Sequence, residues 1–319
     1  MDCYVLFGSM EILRKSFKIL FQSGRLMSII VSLTFLLYSL FYFANLFSIK
    51  PLSNDLAIKL ISLYTTTPTS PNFINLLIGI KEDFGALLGV ELAFVLAYSI
   101  VSLFSAVATI LVSAETLCKN QNFSLHDLIS RLRRSWTRPI VTSFYTTLLG
   151  VGYTYIFLAV LIPILMILYP SVPAKPIAIV LAIVALIFYA YLSVFWILGL
   201  VRTVMEESCY GIEALGKAAT LIKGKRLQGF VLQFLFMLIS VIEVQGLSMI
   251  NVKQSQVNYT IIVLVMIFFG LLVKMFQFIA YTVLYFQCKK IHGEEIEVHG
   301  SIEYSKLPTT SSLVSEDIP

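Results

Sequence analysis

Residues 177–201 read IAIVLAIVALIFYAYLSVFWILGLV, an uninterrupted stretch without a single charged side chain, closed by Arg202. About 20 mainly apolar residues in helical form cross a hydrocarbon core of roughly 30 Å. This stretch exceeds that length, so it predicts a transmembrane helix. Five further runs of the same kind follow from the chain on either side of it, at 28–47, 88–114, 140–168, 228–250 and 260–287. Several are longer than a vertical crossing requires, which predicts tilt or extension into the interface. Pro163 falls inside the third run and predicts a kink or the point where it leaves the membrane. Pro170, Pro173 and Pro176 stiffen the turn into the fourth.

The composition agrees with that reading. Of 319 residues 58% are hydrophobic and 13% charged, with mean hydropathy +0.88, whereas a soluble domain carries about 25% charged residues. A water-soluble core cannot absorb that much apolar surface; lipid can. The expected fold class is therefore all-α, a polytopic membrane protein with six spans in three hairpins and extra helices on one face. The expected organisation is an N-terminal segment 1–27, a membrane domain 28–291 and an acidic, Ser/Thr-rich tail 292–319 with too little apolar content to fold. The first 27 residues lack the apolar core and cleavage site of a signal peptide, so the first span is expected to act as its own targeting signal.

Basic residues set the expected orientation, because cytosolic loops carry the excess of Lys and Arg. The N-terminal segment, the 115–139 loop, the 202–227 segment and the residues after the last run, Lys289 and Lys290 included, hold seventeen; the 48–87 loop, Lys175 and Lys253 account for five; Lys274 remains inside the last run. Both termini are accordingly expected in the cytosol, and the net charge of +5 needs no nucleic-acid partner.

Each odd-numbered span is preceded by a short helical pattern with one apolar stripe. The stripes are Met10, Leu13, Phe17, Leu20 and Phe21; then Leu125, Leu128, Ile129, Leu132 and Trp136; then Ile212, Leu215, Ala219 and Ile222. Ser124 with Asp127 has the spacing of a capping box. Each segment also carries an acid four residues before a base: Glu11/Lys15, Asp127/Arg131 and Glu213/Lys217. That order favours a helical ion pair worth about 0.2–0.5 kcal/mol. Helices of this type lie in the membrane interface with their cations near anionic headgroups. Cys118, Cys209 and Cys288 recur at the ends of the even-numbered spans, so a unit of interfacial helix, span, outer turn and span is expected three times in parallel. Cysteines so placed fit either a structural role or lipidation.

The stretch Gly211 to Gly224, with Ala214, Leu215 and Leu221 between them, resembles a module of bacterial glycerophosphodiesterase membrane domains, in which a short helix of the form G-x-x-A-L-x-x-S-x-x-L-x-x-G links two spans. Ala218 stands where that module usually has Ser. The whole layout, with the Glu303-Tyr304 tail, also resembles a plant family of multi-pass membrane proteins without an established biochemical role. The resemblance implies membrane architecture and carries no catalytic residues.

Ionisable residues within spans are the natural functional candidates. Here they are Glu91, Glu243 and Lys274, a polar site between helices on one reading. On the other, they are respectively interfacial, hydrogen-bonded helix glue and a snorkelling lysine. Helical rise separates Glu243 and Lys274 by about 10 Å in depth, which argues against a direct ion pair. Gly85 and Gly89 form a GxxxG that either brings helices close or occurs by chance. The histidines His126, His292 and His299 lie outside the spans, the aspartates do too, and no HExxH or Gly-rich phosphate loop is present. No enzyme, cofactor or metal is expected. In the tail, Tyr304 and Leu307 have the spacing of a tyrosine-based sorting signal, and Asn122 and Asn258 begin glycosylation patterns that orientation and proximity to the membrane disfavour. The expected function is a non-enzymatic membrane protein that organises lipids or protein partners, the latter through the tail, at an endomembrane or the plasma membrane. The alternative is a transporter or channel for a small solute or lipid.

Overall fold

The computed structural model describes residues 2–66, 71–118, 124–168, 174–206, 209–248 and 256–292; Tyr304, Leu307 and the rest of the tail lie outside them. Among the described residues there are nine helices and no strand: α1 (Asp2–Gln22), α2 (Gly24–Thr65), α3 (Pro71–Leu117), α4 (Leu125–Arg134), α5 (Thr137–Leu168), α6 (Ala174–Met205), α7 (Gly211–Leu221), α8 (Arg226–Ser248) and α9 (Gln256–Ile291). Six of them, α2, α3, α5, α6, α8 and α9, are long and apolar enough to cross a membrane. They pair as three antiparallel hairpins, α2–α3, α5–α6 and α8–α9. The ends that carry α1, α4 and α7 form the base of the molecule; the hairpin turns form its tip.

The nine helices repeat one packing scheme. In each unit a base helix leads into an outer span and then an inner span. The inner spans α3, α6 and α9 pack on one another at the centre. Each outer span leans on the inner span of the preceding unit: α2 on α9, α5 on α3, α8 on α6. Each base helix does the same, α1 on α8 and α9, α4 on α3, α7 on α5 and α6. The order closes on itself, so the three units form a ring about an axis along the spans.

Burial is confined to the base half. Counting outward, the last buried residues are Thr34 in α2, Leu103 in α3, Thr142 in α5, Ala190 in α6, Phe236 in α8 and Leu271 in α9. Beyond them, Phe35 of α2 still meets Phe268 of α9 with centroids 5.4 Å apart, and aromatic contacts farther out lie within a hairpin, as in Tyr38 with Tyr98 and Tyr153 with Tyr189. Toward the base, by contrast, Ile110, Leu198, Ile279, Leu284 and Tyr281 are wholly inaccessible. The hairpins are thus tied together at one end and stand apart at the other.

Three elements differ from the sequence expectation. The 48–83 segment is not a surface loop: α2 continues through Pro51 to Thr65 and α3 begins at Pro71. At 1.5 Å per residue these helices are about 63 and 70 Å long, twice the thickness of a hydrocarbon core, so the first hairpin overshoots the others. Lys59 and Asp83 tie its two arms, 2.5 Å apart. α5 likewise runs unbroken through Pro163.

The second difference is that the base helices carry a packed face besides the expected interfacial stripe. In α1 the residues against the bundle are Ser9, Ile12, Ser16 and Ile19, while Met10, Phe17 and Phe21 of the expected stripe are exposed. Small serines let α1 approach α9 closely, and the buried Ser16 hydroxyl is satisfied by the Ile12 carbonyl at 2.8 Å. In α7 the buried face is Ala214, Leu215, Ala218 and Leu221, with Ile212 63% exposed. Gly199 of α6 makes room for it: a Cβ there would lie 2.6 Å from Leu215 Cδ2. The two glycines that bracket α7, Gly211 and Gly224, hold φ of 64° and 98°, a left-handed backbone that other residues adopt at a cost. Gly85 and Gly89 face open space and bring no helix close.

The third difference lies in the ion pairs. Glu11–Lys15 and Glu213–Lys217 form at 2.6 and 2.7 Å. In α4 the two groups part: Asp127 accepts the Ser124 backbone N–H at 3.1 Å, completing the capping box, and Arg131 crosses to Glu115 on α3. A cap and an inter-helix bond to a carboxylate 3% exposed outweigh a solvent-screened pair on one helix.

Candidate functional site

Lys274 lies near the middle of α9, about 26 Å from its base end at helical rise. A charge that deep needs a polar partner, and it finds one on another hairpin: its Nζ donates to Ser102 Oγ of α3 at 3.4 Å. The two line a pocket of about 330 Å³ together with Tyr38, Tyr98, Ser99, Ser143 and Thr147. All three hairpins contribute. Tyr38 and Tyr98 meet edge to face with centroids 5.1 Å apart, and each hydroxyl donates toward the other's backbone carbonyl at 3.5 Å. The polar groups therefore converge just above the sealed base, where the hairpins begin to separate. Among the described residues of the lining, Lys274 alone is charged.

The other two intramembrane candidates stand outside this pocket. Glu243 of α8 packs against Gly270, where an added Cβ would lie 2.4 Å from its Oε1. Gly270 is one turn from Lys274, so the two charges are closer in depth than helical rise alone predicts. Among the described ion pairs they do not form one, and Lys274 turns to α3 instead. Glu91 accepts from Asn45 Nδ2 at 3.5 Å, eleven residues and about 17 Å tipward of Ser102. It belongs to the α2–α3 hairpin alone.

Sequence reasoning missed the hydroxyls. Ser99 and Ser102, and Ser143 and Thr147, recur at helical spacing within apolar runs, the pattern that signals a polar face inside a membrane. They were obscured by the charged residues, which draw attention first.

A larger pocket lies beside it. A groove of about 720 Å³ runs along α5 and α6, lined by Gly150, Val151, Tyr155, Leu158, Tyr189 and Trp196 among others, and shares Thr147, Leu200 and Phe278 with the polar pocket. Gly150 keeps the groove open, its missing Cβ lying 3.7 Å from the Trp196 ring. A small polar chamber that contains Lys274 thus shares a wall with a larger, mostly apolar groove.

Below the pocket the base is held by a buried polar network. Glu206, just past α6, accepts from the Tyr285 hydroxyl at 2.6 Å and from Arg202 Nε at 2.8 Å, with Lys289 Nζ at 3.5 Å. Burial pushes its carboxyl pKa up, but the Tyr285 hydrogen bond and the Arg202 and Lys289 charges outweigh that and hold it below the usual carboxylate range. Glu115, Glu206 and Tyr285 each stand three residues before Cys118, Cys209 and Cys288, so the same position of each unit supplies the polar tie. Thr142 of α5 and Thr203 of α6 share a hydrogen bond at 3.0 Å, and the Gly211 N–H donates to Thr142 Oγ1 at 2.8 Å. Cys209 is buried and accepts from Lys217 at 3.0 Å; that bond, with Glu213, raises the Lys217 pKa. Cys288 is also buried, while Cys118 is exposed. Among the described residues no three His, Cys, Asp or Glu side chains gather as a metal site would require.

A family model described as a domain of unknown function (DUF8558) matches residues 4–304. No curated protein and no solved structure matches the chain.

Proposed function

The chain belongs to the DUF8558 family, and from that footing we propose that it is a non-enzymatic multi-pass membrane protein that holds an anionic amphiphile between its hairpins and organises lipids at its membrane. The carrying observation is that the polar pocket and the apolar groove lie side by side, with Thr147, Leu200 and Phe278 in the walls of both. Ligand sites are concave, mostly apolar and fixed by a few placed polar groups, with volumes of about 300–1,000 Å³. The head of an amphiphile fits the chamber, where Lys274 and the Ser102 and Tyr38 hydroxyls offer donors, and its chain fits the groove. Lys274 is the charge among the described residues of the chamber, so an anionic head suits it. The base faces the cytosol in this proposal, on the strength of its basic residues.

A transporter is the second reading, favoured by the single intramembrane lysine. The packed base, with Leu198, Ile279 and Tyr281 inaccessible, leaves no path through it in this conformation, which supports holding over passage.

The test is to purify the protein in mild detergent and quantify the lipids that remain bound by native mass spectrometry. Lys274→Met is expected to lower retained anionic lipid several-fold, and Gly150→Leu to lower it by filling the groove. Unchanged retention in both variants overturns the proposal. Solute or lipid flux in proteoliposomes that requires Lys274 or Glu243 would establish the transporter instead.

A further inference from the structure

A second recess lies at the base, remote from the central pocket and not explained by it. It has a volume of about 1,130 Å³ and runs between α1 and the base ends of α8 and α9, with Phe7, Arg14, Phe17, Lys225, Gln228 and Gln287 in its walls. Three observations give it a chemical preference. Its charge is positive: Glu11 in the same wall is neutralised by Lys15 at 2.6 Å, whereas Arg14 has no ion-pair partner among the described residues. Lys225 donates to Gln287 Oε1 at 2.6 Å, which leaves its other N–H groups for a ligand. The Gln228 Oε1 is the one buried side-chain polar atom without a hydrogen-bond partner among the described residues. Its amide is held in place against Gly8, where a Cβ would lie 2.2 Å from Nε2. A buried acceptor of this kind is costly unless something donates to it. Finally, Phe7 and Phe17 beside the recess are 76% and 50% exposed, apolar surface at the ends of the spans, where a bilayer meets water.

We infer that this recess binds an anionic phospholipid whose headgroup carries hydroxyls, of the phosphatidylglycerol or phosphatidylinositol class. Arg14 and Lys225 take the phosphate, since a guanidinium and an ammonium both form charge-assisted bonds with its oxygens. A headgroup hydroxyl donates to Gln228 Oε1, a role that a bare phosphodiester oxygen cannot fill. Phe7 and Phe17 line the start of the acyl chains. The site is independent of the central pocket and does not require Lys274.

The experiment uses the full chain in nanodiscs and measures displacement of a fluorescent phosphatidylglycerol by four competitors: phosphatidylinositol, phosphatidylmethanol, phosphatidylcholine and soluble glycerol phosphate. Phosphatidylmethanol has the same charge without a headgroup hydroxyl. Phosphatidylinositol is expected to compete about tenfold better than phosphatidylcholine and several-fold better than phosphatidylmethanol, with glycerol phosphate ineffective because it lacks the chains. Arg14→Gln with Lys225→Gln is expected to abolish the preference over phosphatidylcholine. Gln228→Leu is expected to remove only the preference over phosphatidylmethanol. All variants are made in a Lys274→Met background, which removes the contribution of the central pocket, and thermal midpoints separate a lost site from a lost fold. Equal competition by the three lipids, or a double variant that keeps its preference at an unchanged midpoint, overturns the assignment. Competition by glycerol phosphate at the potency of the lipids overturns the lipid and leaves a soluble phosphate as the ligand.

Discussion

Replacing Glu206 by Gln tests whether the base is held by charge or by packing alone. The change keeps the shape and one acceptor oxygen but removes the counter-ion of Arg202 and Lys289, which are 8% and 9% exposed. Removing one member of a buried ion pair costs about 3–5 kcal/mol, because the remaining charge is left uncompensated. The Glu206 side chain is 17% accessible, so water relieves part of that and the expected loss is about 3 kcal/mol. At about 2–4 °C per kcal/mol for a large domain, the thermal midpoint in detergent is expected to fall by about 6 °C. Tyr285→Phe removes one bond to the carboxylate and is expected to cost about 1.5 kcal/mol. The two changes share a partner, so together they cost less than their sum. The pH dependence has a definite sign. The folded carboxyl titrates below its ordinary 4.5, so its stabilisation is complete above that value and is lost as pH falls through the depressed one. The gap between parent and Glu206→Gln is therefore expected to hold from pH 7 down to the ordinary 4.5 and to narrow only as pH falls further. A gap under about 2 °C at pH 7, or one that widens as pH falls below 4.5, refutes the reasoning.

Gly199→Val would push α7 off α6, since even a Cβ meets Leu215 at 2.6 Å. Overpacking of that kind costs about 1–3 kcal/mol, visible as a lower thermal midpoint and faster proteolysis around α7. In a Cys3→Ser background an impermeant maleimide is expected to modify Cys118 and to spare the buried Cys209 and Cys288. In sealed vesicles that labelling should occur only from the cytosolic side; labelling from the other side inverts the proposed orientation. Lys59→Met should leave overall stability within about 1 kcal/mol, as expected for an ion pair at the rim. It should nonetheless speed hydrogen exchange in the tipward halves of α2 and α3, and unchanged exchange there would show that the clamp does not order the hairpin.

The sequence by itself determined the helical class, the six apolar helices and the three short helices that precede each hairpin. Those features are local: a run such as 177–201 needs only its own backbone bonds and an apolar solvent. Tertiary structure decided which faces meet. In water, polarity marks the outward face of a helix, but within a bilayer lipid and protein interior are equally apolar, so hydropathy cannot distinguish them. That is why the apolar stripe of α1 did not tell which face meets the bundle, where Ser9, Ile12 and Ser16 are the residues against α9. Partner choice is likewise non-local. Arg131 had Asp127 four residues away and took Glu115 on another helix, and Lys274 turned from the hairpin partner Glu243 toward Ser102. Neither outcome is written in spacing, because each depends on the register that three interlocking hairpins impose on one another. The overshooting first hairpin has the same origin: two long helices paired along their length extend past the apolar runs that hydropathy delimits.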